Sequence, residues 1–294
     1  MENKIDYFNR AQKAQEMKRL IEQSDLFDSQ VGGMLDVFSP SERDQIQSIV
    51  DLGCGPAGTL RKAAREYPDK QFLGVDNAPD MLDFARAETM TSKITNVEFL
   101  AADLRKLPFP LRTQSFDLVY ARLVFGFLQR NFYPYFVEEM VRILRPGGWV
   151  LWWDCDFSPF TSSPSLAKLY SLGKLAFFRS GVGHQIDALH ITSPLLGIFQ
   201  GAGLEEVRQR IQIIDCSYGT SFTEACFRDN KDLFSQLKGY CQKMGVVNEA
   251  PHKELEVTEE EYDYLVSRLD EEMHRQDFVV RFVFIATIGR KPAI

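Results

Sequence analysis

Between Ile46 and Trp153 the chain repeats one pattern, an apolar run, a turn, a helical segment and another apolar run, and few folds accept that alternation. The apolar runs Ile46 to Leu52, Gln71 to Val75, Val97 to Ala101, Phe116 to Ala121 and Trp149 to Trp153 read as strands. Thr59 to Tyr67, Pro79 to Glu88 and Tyr133 to Leu144 read as the intervening helices. Strands joined by helical crossovers must run parallel, because each crossover carries the chain back across a sheet face. Lys4 to Phe38 reads as one or two helices preceding the main fold, broken at Gly32-Gly33. From Phe157 to Gln200 come Pro, Ser and Gly clusters with helical stretches, one of them at about Ser165 to Phe178. A strand follows near Val207 to Ile214, then a helical stretch over about Thr220 to Met273 and a last strand from Phe278 to Ile288. This reading divides one large α/β domain into four parts: an N-terminal helical cap (1–40), a core (41–156), a helical insertion on the substrate side (157–200), and the final strands (201–294) with helices at about 220–275.

Composition narrows the class. At 294 residues, with 45% hydrophobic and 26% charged residues, the chain can bury a sizeable core, and no apolar run approaches the roughly 20 residues of a membrane span. The first residues lack a basic stretch followed by an apolar one, so a cytoplasmic protein is expected. A net charge of −7 without a dense Lys/Arg run argues against a nucleic-acid partner, and no membrane partner is expected. Cys54, Cys155, Cys216, Cys226 and Cys241 are scattered, without metal-site or redox spacing, so no metal is expected.

The segment Asp51-Leu52-Gly53-Cys54-Gly55-Pro56-Ala57-Gly58 follows an apolar strand and opens a helix, the context of an adenosine-cofactor loop. Gly53 and Gly55 permit a tight turn and close ligand approach. The glycines alone fit NAD or FAD equally well. Asp51 argues otherwise, since a carboxylate there repels a pyrophosphate and attracts an ammonium. S-adenosylmethionine offers both an ammonium and a sulfonium. Asp76, ending the second strand about 20 residues after the loop, is placed to accept ribose hydroxyls. Asp103, ending the third, is placed to accept the adenine amino group, with the Leu104 backbone beside it. Taken singly each aspartate reads equally as a turn or cap residue; their order at successive strand ends makes the pattern specific.

From Ile46 to Asp154 the chain resembles class I S-adenosylmethionine-dependent methyltransferases, in particular the small-molecule, methyltransferase-11 or ubiquinone/menaquinone-biosynthesis-like kind. The resemblance rests on Asp51-Leu52-Gly53-Cys54-Gly55, Asp76-Asn77-Ala78-Pro79-Asp80-Met81, Asp103-Leu104 before Leu107-Pro108-Phe109, Ser115-Phe116-Asp117-Leu118-Val119, and Leu144-Arg145-Pro146-Gly147-Gly148. It implies a Rossmann-like, seven-stranded, mostly parallel sheet whose last strand is antiparallel, with N-terminal helices and helical lid insertions. It further implies a cofactor site of Asp51, Gly53, Gly55, Asp76, Asn77, Met81, Asp103, Leu104, Ala121 and Arg122. Met81 would lie near the adenosine, and the backbone at Ala121 and Arg122 beside the methionine moiety. Ala57 departs from the family's frequent glycine, a change a helix start is expected to tolerate. Asp117 is expected to serve the strand start, and the glycines after Pro146 a turn.

On the substrate side, Phe125, Phe127, Trp152, Trp153, Phe157, Phe160, Phe177 and Phe178 suit either an apolar pocket or the core. Tyr7, Phe125, Asp154 and Phe157 are the candidates for binding a small-molecule acceptor, Tyr7 reading equally as a lid residue or a helix contact. Methyl transfer needs a general base only for some acceptors. His184, in Gly181-Val182-Gly183-His184, ranks first for that role, ahead of His190, Asp154 and Asp156. Arg122 reads either as a holder of an acidic acceptor or as a partner of a carboxylate. The expected reaction carries a methyl group from S-adenosylmethionine to O, N or C of a small organic acceptor, leaving S-adenosylhomocysteine. The alternative is a relative that binds S-adenosylmethionine for pericyclic or decarboxylative catalysis without methyl transfer. An NAD-dependent oxidoreductase is opposed by Asp51, and an interaction protein would have no use for these motifs.

Overall fold

The computed structural model describes residues 10–185, 189, 191–251 and 255–293. In chain order the elements are α1 (Arg10–Val31), α2 (Pro40–Gln45), β1 (Ser48–Leu52), α3 (Gly58–Glu66), β2 (Gln71–Asp76), α4 (Pro79–Thr91), β3 (Val97–Ala101), β4 (Phe116–Arg122), a 3-10 turn at Phe125–Phe127, α5 (Tyr133–Ile143) and β5 (Leu144–Cys155). They continue with β6 (Phe160–Thr161), α6 (Pro164–Arg179), α7 (Leu195–Gly201), β7 (Glu205–Asp215), α8 (Thr223–Lys243), α9 (Glu259–Met273) and β8 (Val280–Arg290). The strands are ordered β3-β2-β1-β4-β5-β8-β6, with β7 on β8. The pairs β1/β2, β1/β4, β2/β3 and β4/β5 are parallel, and β6/β8 is antiparallel. This is a Rossmann-like α/β fold.

The chain divides into two compact units. One comprises Phe27–Asp154, Thr192–Ile211 and Ile285–Ile294, and it contains β1 to β5. Its helices form where the sequence places apolar residues every three or four positions: α5 buries Tyr133, Phe136, Val137, Met140 and Ile143. Each such side chain stabilises the fold by about 1.5–3 kcal/mol. The Phe136 ring lies 5.3 Å from Trp152 and 5.4 Å from Phe109, so Trp152 belongs to the core, as does Trp153, only 2% exposed. Asp117 serves the strand start: its Oδ2 accepts from the backbone N–H groups of Gln47 (3.0 Å) and Ser48 (2.9 Å), and its Oδ1 from Arg145 (2.9 Å).

The second unit comprises Cys155–Ile191, Gln212–Phe284 and α1 as far as Leu26. Here α6, α8 and α9 pack around aromatic side chains. The Phe157 ring lies 4.6 Å from Tyr170 and 5.4 Å from Phe177, and the Tyr170 hydroxyl donates to Asn230 Oδ1 at 2.8 Å. Glu272 on α9 accepts from Ser163 Oγ (2.6 Å), Ser165 Oγ (2.8 Å) and the Ser165 N–H (3.0 Å), closing the first turn of α6. Among the described residues no helix is long and apolar enough to cross a membrane.

Among the described residues the sheet has eight strands where seven are expected, because the two-residue β6 pairs Phe160 with Arg281 and Thr161 with Val280. The segment Arg145–Gly148 is a bulge within β5, not a turn ahead of it. Phe116 pairs with Leu144 and Leu118 with Trp149, so the ladder closes on both sides of the insertion. Gly147 absorbs the irregularity at φ +79°. The short helix α2 also goes beyond the expected elements. It is held by a capping box, with the Ser39 N–H donating to Glu42 Oε2 at 2.7 Å and the Glu42 N–H to Ser39 Oγ at 3.4 Å.

Candidate cofactor site

The strand order reverses at β1, which has β2 on one side and β4 on the other, so the carboxyl ends of β1 and β4 flank the crevice where such sheets bind ligands. Asp51 and the Gly53–Gly55 loop sit at the end of β1, and Ala121 and Arg122 at the end of β4. Asp76 ends β2, and Asp103 and Leu104 follow β3.

Gly53 (φ +82°) and Gly55 (φ +53°) both occupy the left-handed region. A Cβ at Gly53 would lie 3.1 Å from Val124 Cγ1 and 3.3 Å from the Phe127 ring, so the turn is closed to larger residues. The N–H groups of Gly53 and Cys54 donate to the Val75 carbonyl at 2.8 and 3.1 Å, fixing the loop to β2. Ala57 lies at φ +58° and caps α3, which begins at Gly58, so the family's glycine is replaced at a left-handed position rather than within the helix. The Gly55 N–H donates to Asp76 Oδ2 (2.8 Å) and the Ala78 N–H to Oδ1 (2.9 Å), leaving lone pairs on each oxygen for a diol. Burial pushes the Asp76 carboxyl up, and these backbone donors pull it back.

Asp51 is 5% exposed, and its carboxyl is pushed up to about 7, first by burial. Arg122 opposes that shift, while Asp76 and Asp28 add to it. No hydrogen bond from a described residue reaches the Asp51 carboxylate. A buried carboxylate with no donor suits a cation, and an ammonium brings both charge and hydrogen bonds. Met81 and Leu104 are buried nearby in sequence to Asp76 and Asp103, and Asn77 is exposed. The Asp103 carboxylate is already engaged: Arg105 donates Nε to Oδ1 (2.8 Å) and Nη2 to Oδ2 (3.1 Å), which holds Asp103 below its ordinary range. The Asp103 carboxylate is therefore half of an ion pair.

Arg122 takes the carboxylate-partner role of the two open to it. Its Nη1 donates to Asp28 Oδ1 at 3.0 Å, and its guanidinium stands 4.7 Å above the Phe27 ring, itself edge-on to Trp153 at 5.6 Å. Thr59 Oγ1, in the first turn of α3, donates to Asp28 from 3.0 Å. The sequence reading missed Asp28 and Thr59. One signal was there: Asp28 stands in the last turn of α1, where the helix dipole disfavours a carboxylate unless a cation answers it.

Of the acceptor-side candidates, Phe125 is 8% exposed in the 3-10 turn after β4. Asp154 has no exposed surface and accepts from Trp152 Nε1 at 3.0 Å, so in this conformation its carboxylate serves the strand interior rather than an open cleft. Phe157 packs on α6 in the helical unit. His184 is exposed in that unit, its N–H donating to the Leu189 carbonyl at 2.8 Å. Tyr7 and His190 lie outside the described residues.

Gly74 pairs directly with Asp51 across β1/β2. A Cβ there would lie 2.8 Å from Cys54 Sγ, 2.9 Å from the Phe99 ring and 3.0 Å from Leu60 Cδ2. Gly74→Ala is expected to cost about 1–3 kcal/mol, read as a lower urea midpoint at unchanged m-value.

These strand ends belong to a Rossmann-like domain and bring Asp51, Asp76 and Asp103 to the carboxyl edge of its parallel strands. Residues 49–148 match the family described as a methyltransferase domain. Methyltransferase str3 of Strobilurus tenacellus is 26% identical over 178 residues, 60% of each chain. Trans-aconitate 2-methyltransferase of Azoarcus sp. is 31% identical over 113 residues, 38% of this chain and 41% of that one. An uncharacterized methyltransferase of Schizosaccharomyces pombe is 35% identical over 156 residues, 51% of each. Over residues 49–148 the chain is thus similar to methyltransferase domains. It matches 60% or less of the length of these relatives.

Proposed function

We propose that the protein transfers a methyl group from S-adenosylmethionine to an oxygen, nitrogen or carbon of a small organic acceptor, leaving S-adenosylhomocysteine. The observation that carries this reading is the Asp51 carboxylate, buried at the end of β1 with no donor of its own among the described residues. Bound there, the cofactor supplies an electrophilic methyl group on a sulfonium. Asp51 attracts the ammonium, Asp76 accepts from the ribose hydroxyls through its remaining lone pairs, and the Gly53–Gly55 turn admits the ligand close to backbone. Met81 and Leu104 flank the adenosine, with Asn77 and Asp103 at its edge and Ala121 and Arg122 beside the amino-acid end. Phe125, in the 3-10 turn after β4, is the residue assigned to the acceptor.

Calorimetric titration with S-adenosylhomocysteine tests the cofactor site. The wild type is expected to bind with a dissociation constant of about 1 μM or tighter, and Asp76→Ala to lose at least about tenfold by removing the two hydroxyl contacts. A folded wild type that binds NAD and not S-adenosylhomocysteine would overturn the reading. Trideuteromethyl-labelled cofactor then separates transfer, which labels the product, from conversion without label.

A further inference from the structure

Asp28 is spent on neither the fold's ladders nor the ligand contacts proposed above, yet its carboxylate accepts from two side chains of other elements. Its side chain is 2% exposed. Thr59 Oγ1 donates to it at 3.0 Å, and Arg122 Nη1 donates to Oδ1 at 3.0 Å. Arg122 in turn is pinned by the Phe27 ring at 4.7 Å, one residue before Asp28 on α1. Three segments thus meet at one carboxylate: the end of α1, the first turn of α3 behind the glycine loop, and the end of β4.

The groups that face Asp51 come from every element around it. Arg122 and Tyr120 belong to β4, Asp76 to β2, Cys54 to the loop after β1, and Asp28 to α1. Asp51 and Asp28 place two carboxyls beside the guanidinium of Arg122, and of the two only Asp28 bonds to it directly. The charge of Arg122 is therefore shared unequally, and Asp28 takes the larger part.

We infer that Asp28 is a positioning residue for the cofactor site, one that holds Arg122 in place and withdraws part of its positive charge from Asp51. The inference rests on the proposed cofactor role of Asp51. Its consequence is that the end of α1 governs the pH range over which the site accepts a cation. With Asp28 charged, Asp51 keeps its proton to higher pH and binds an ammonium only above it. With Asp28 neutral, Arg122 acts on Asp51 unopposed, and the site opens to cations at lower pH.

The test is a carbon-13 carboxyl NMR titration of Asp51 in the ligand-free protein, assigned with Asp51→Asn, for the wild type, Asp28→Asn and Asp28→Glu. Asp28→Asn keeps the shape and an acceptor for Thr59 and Arg122 while removing the charge. Its Asp51 midpoint is expected to fall by about one pH unit, and Asp28→Glu to restore most of the difference. Asp28→Ser is the second neutral variant, in case the amide impairs folding. S-adenosylhomocysteine titrations across the same pH range should show the rise in affinity moved by the same interval. An Asp51 midpoint unmoved in a folded neutral variant would overturn the inference, as would a uniform loss of affinity with an unchanged pH profile. If the wild type binds no S-adenosylhomocysteine at any pH, the functional reading fails, and the carboxyl titration still decides the part played by Asp28.

Discussion

Asp51→Asn is expected to stabilise the folded protein at pH 8 and to remove most of its affinity for S-adenosylhomocysteine. Burial raises the Asp51 carboxyl from its ordinary 3.8 to about 7. Below pH 3.8 the group is protonated folded or unfolded and contributes nothing to the difference. Between 3.8 and 7 the folded chain holds a proton that the unfolded chain has released, so stability falls as pH rises, by about 1.4 kcal/mol per unit. Above 7 the group is ionised in both states and the penalty stays constant, at most about 4 kcal/mol. Asparagine removes the penalty and introduces a buried amide without partners, costing roughly 1–3 kcal/mol. The net gain at pH 8 is therefore about 1–3 kcal/mol, and near pH 4 the variant should equal or fall below the wild type. Urea unfolding at the two pH values measures the difference. A variant less stable than wild type at pH 8 would show that the Asp51 carboxylate is not strained by burial.

The same substitution removes a charge-assisted hydrogen bond to the ammonium, worth roughly 1.5–3 kcal/mol, or about 10- to 150-fold in affinity. In the wild type, binding that requires ionised Asp51 should weaken about tenfold for each pH unit below 7. In Asp51→Asn that slope should vanish. Stability and binding thus move in opposite directions on one side chain, as expected where a binding site stores an unfavourable charge.

The parts of this site that sequence exposed are those whose geometry is local. Asp51, Gly53 and Gly55 lie within five residues, and Asp76 and Asp103 each end an apolar run, so strand periodicity alone places them at one edge of a sheet. Asp28 was invisible by the same logic: it lies 94 residues from Arg122, and nothing in a helical periodicity names its partner. The expected turn at Arg145–Gly148 failed for a related reason. Pro-Gly-Gly reads as a chain reversal, and only the pairing of Phe116 with Leu144 shows that the strand had already begun. The two-residue β6 exists by virtue of β8. Ala57 could be aligned with a glycine by eye, but its left-handed backbone is a property of the turn that the tertiary structure imposes.

Arg122→Ala is expected to be the most damaging single change near the site. It strands the Asp28 carboxylate, 2% exposed, with Thr59 as its remaining hydrogen-bonding partner among the contacts described, and it removes the cation stacked on Phe27. Breaking a buried ion pair from one side costs about 3–5 kcal/mol. The loss should be largest at pH 8 and smaller at pH 5, where Asp28 and Asp51 can take up protons in place of the missing cation. Arg122→Lys keeps the charge and forfeits the planar stack, so it should fall between. The double variant Asp28→Asn/Arg122→Met removes both charges together and should recover most of the loss, giving a coupling energy of about 2–3 kcal/mol in the cycle. Binding should not recover with it. Without Arg122, Asp51 keeps its proton beyond pH 7, and S-adenosylhomocysteine affinity at neutral pH should fall about tenfold and partly return at pH 8. A double variant restored in both stability and neutral-pH binding would mean that Arg122 serves only to pair Asp28. Stability restored without binding would mean that the guanidinium is retained for its effect on Asp51.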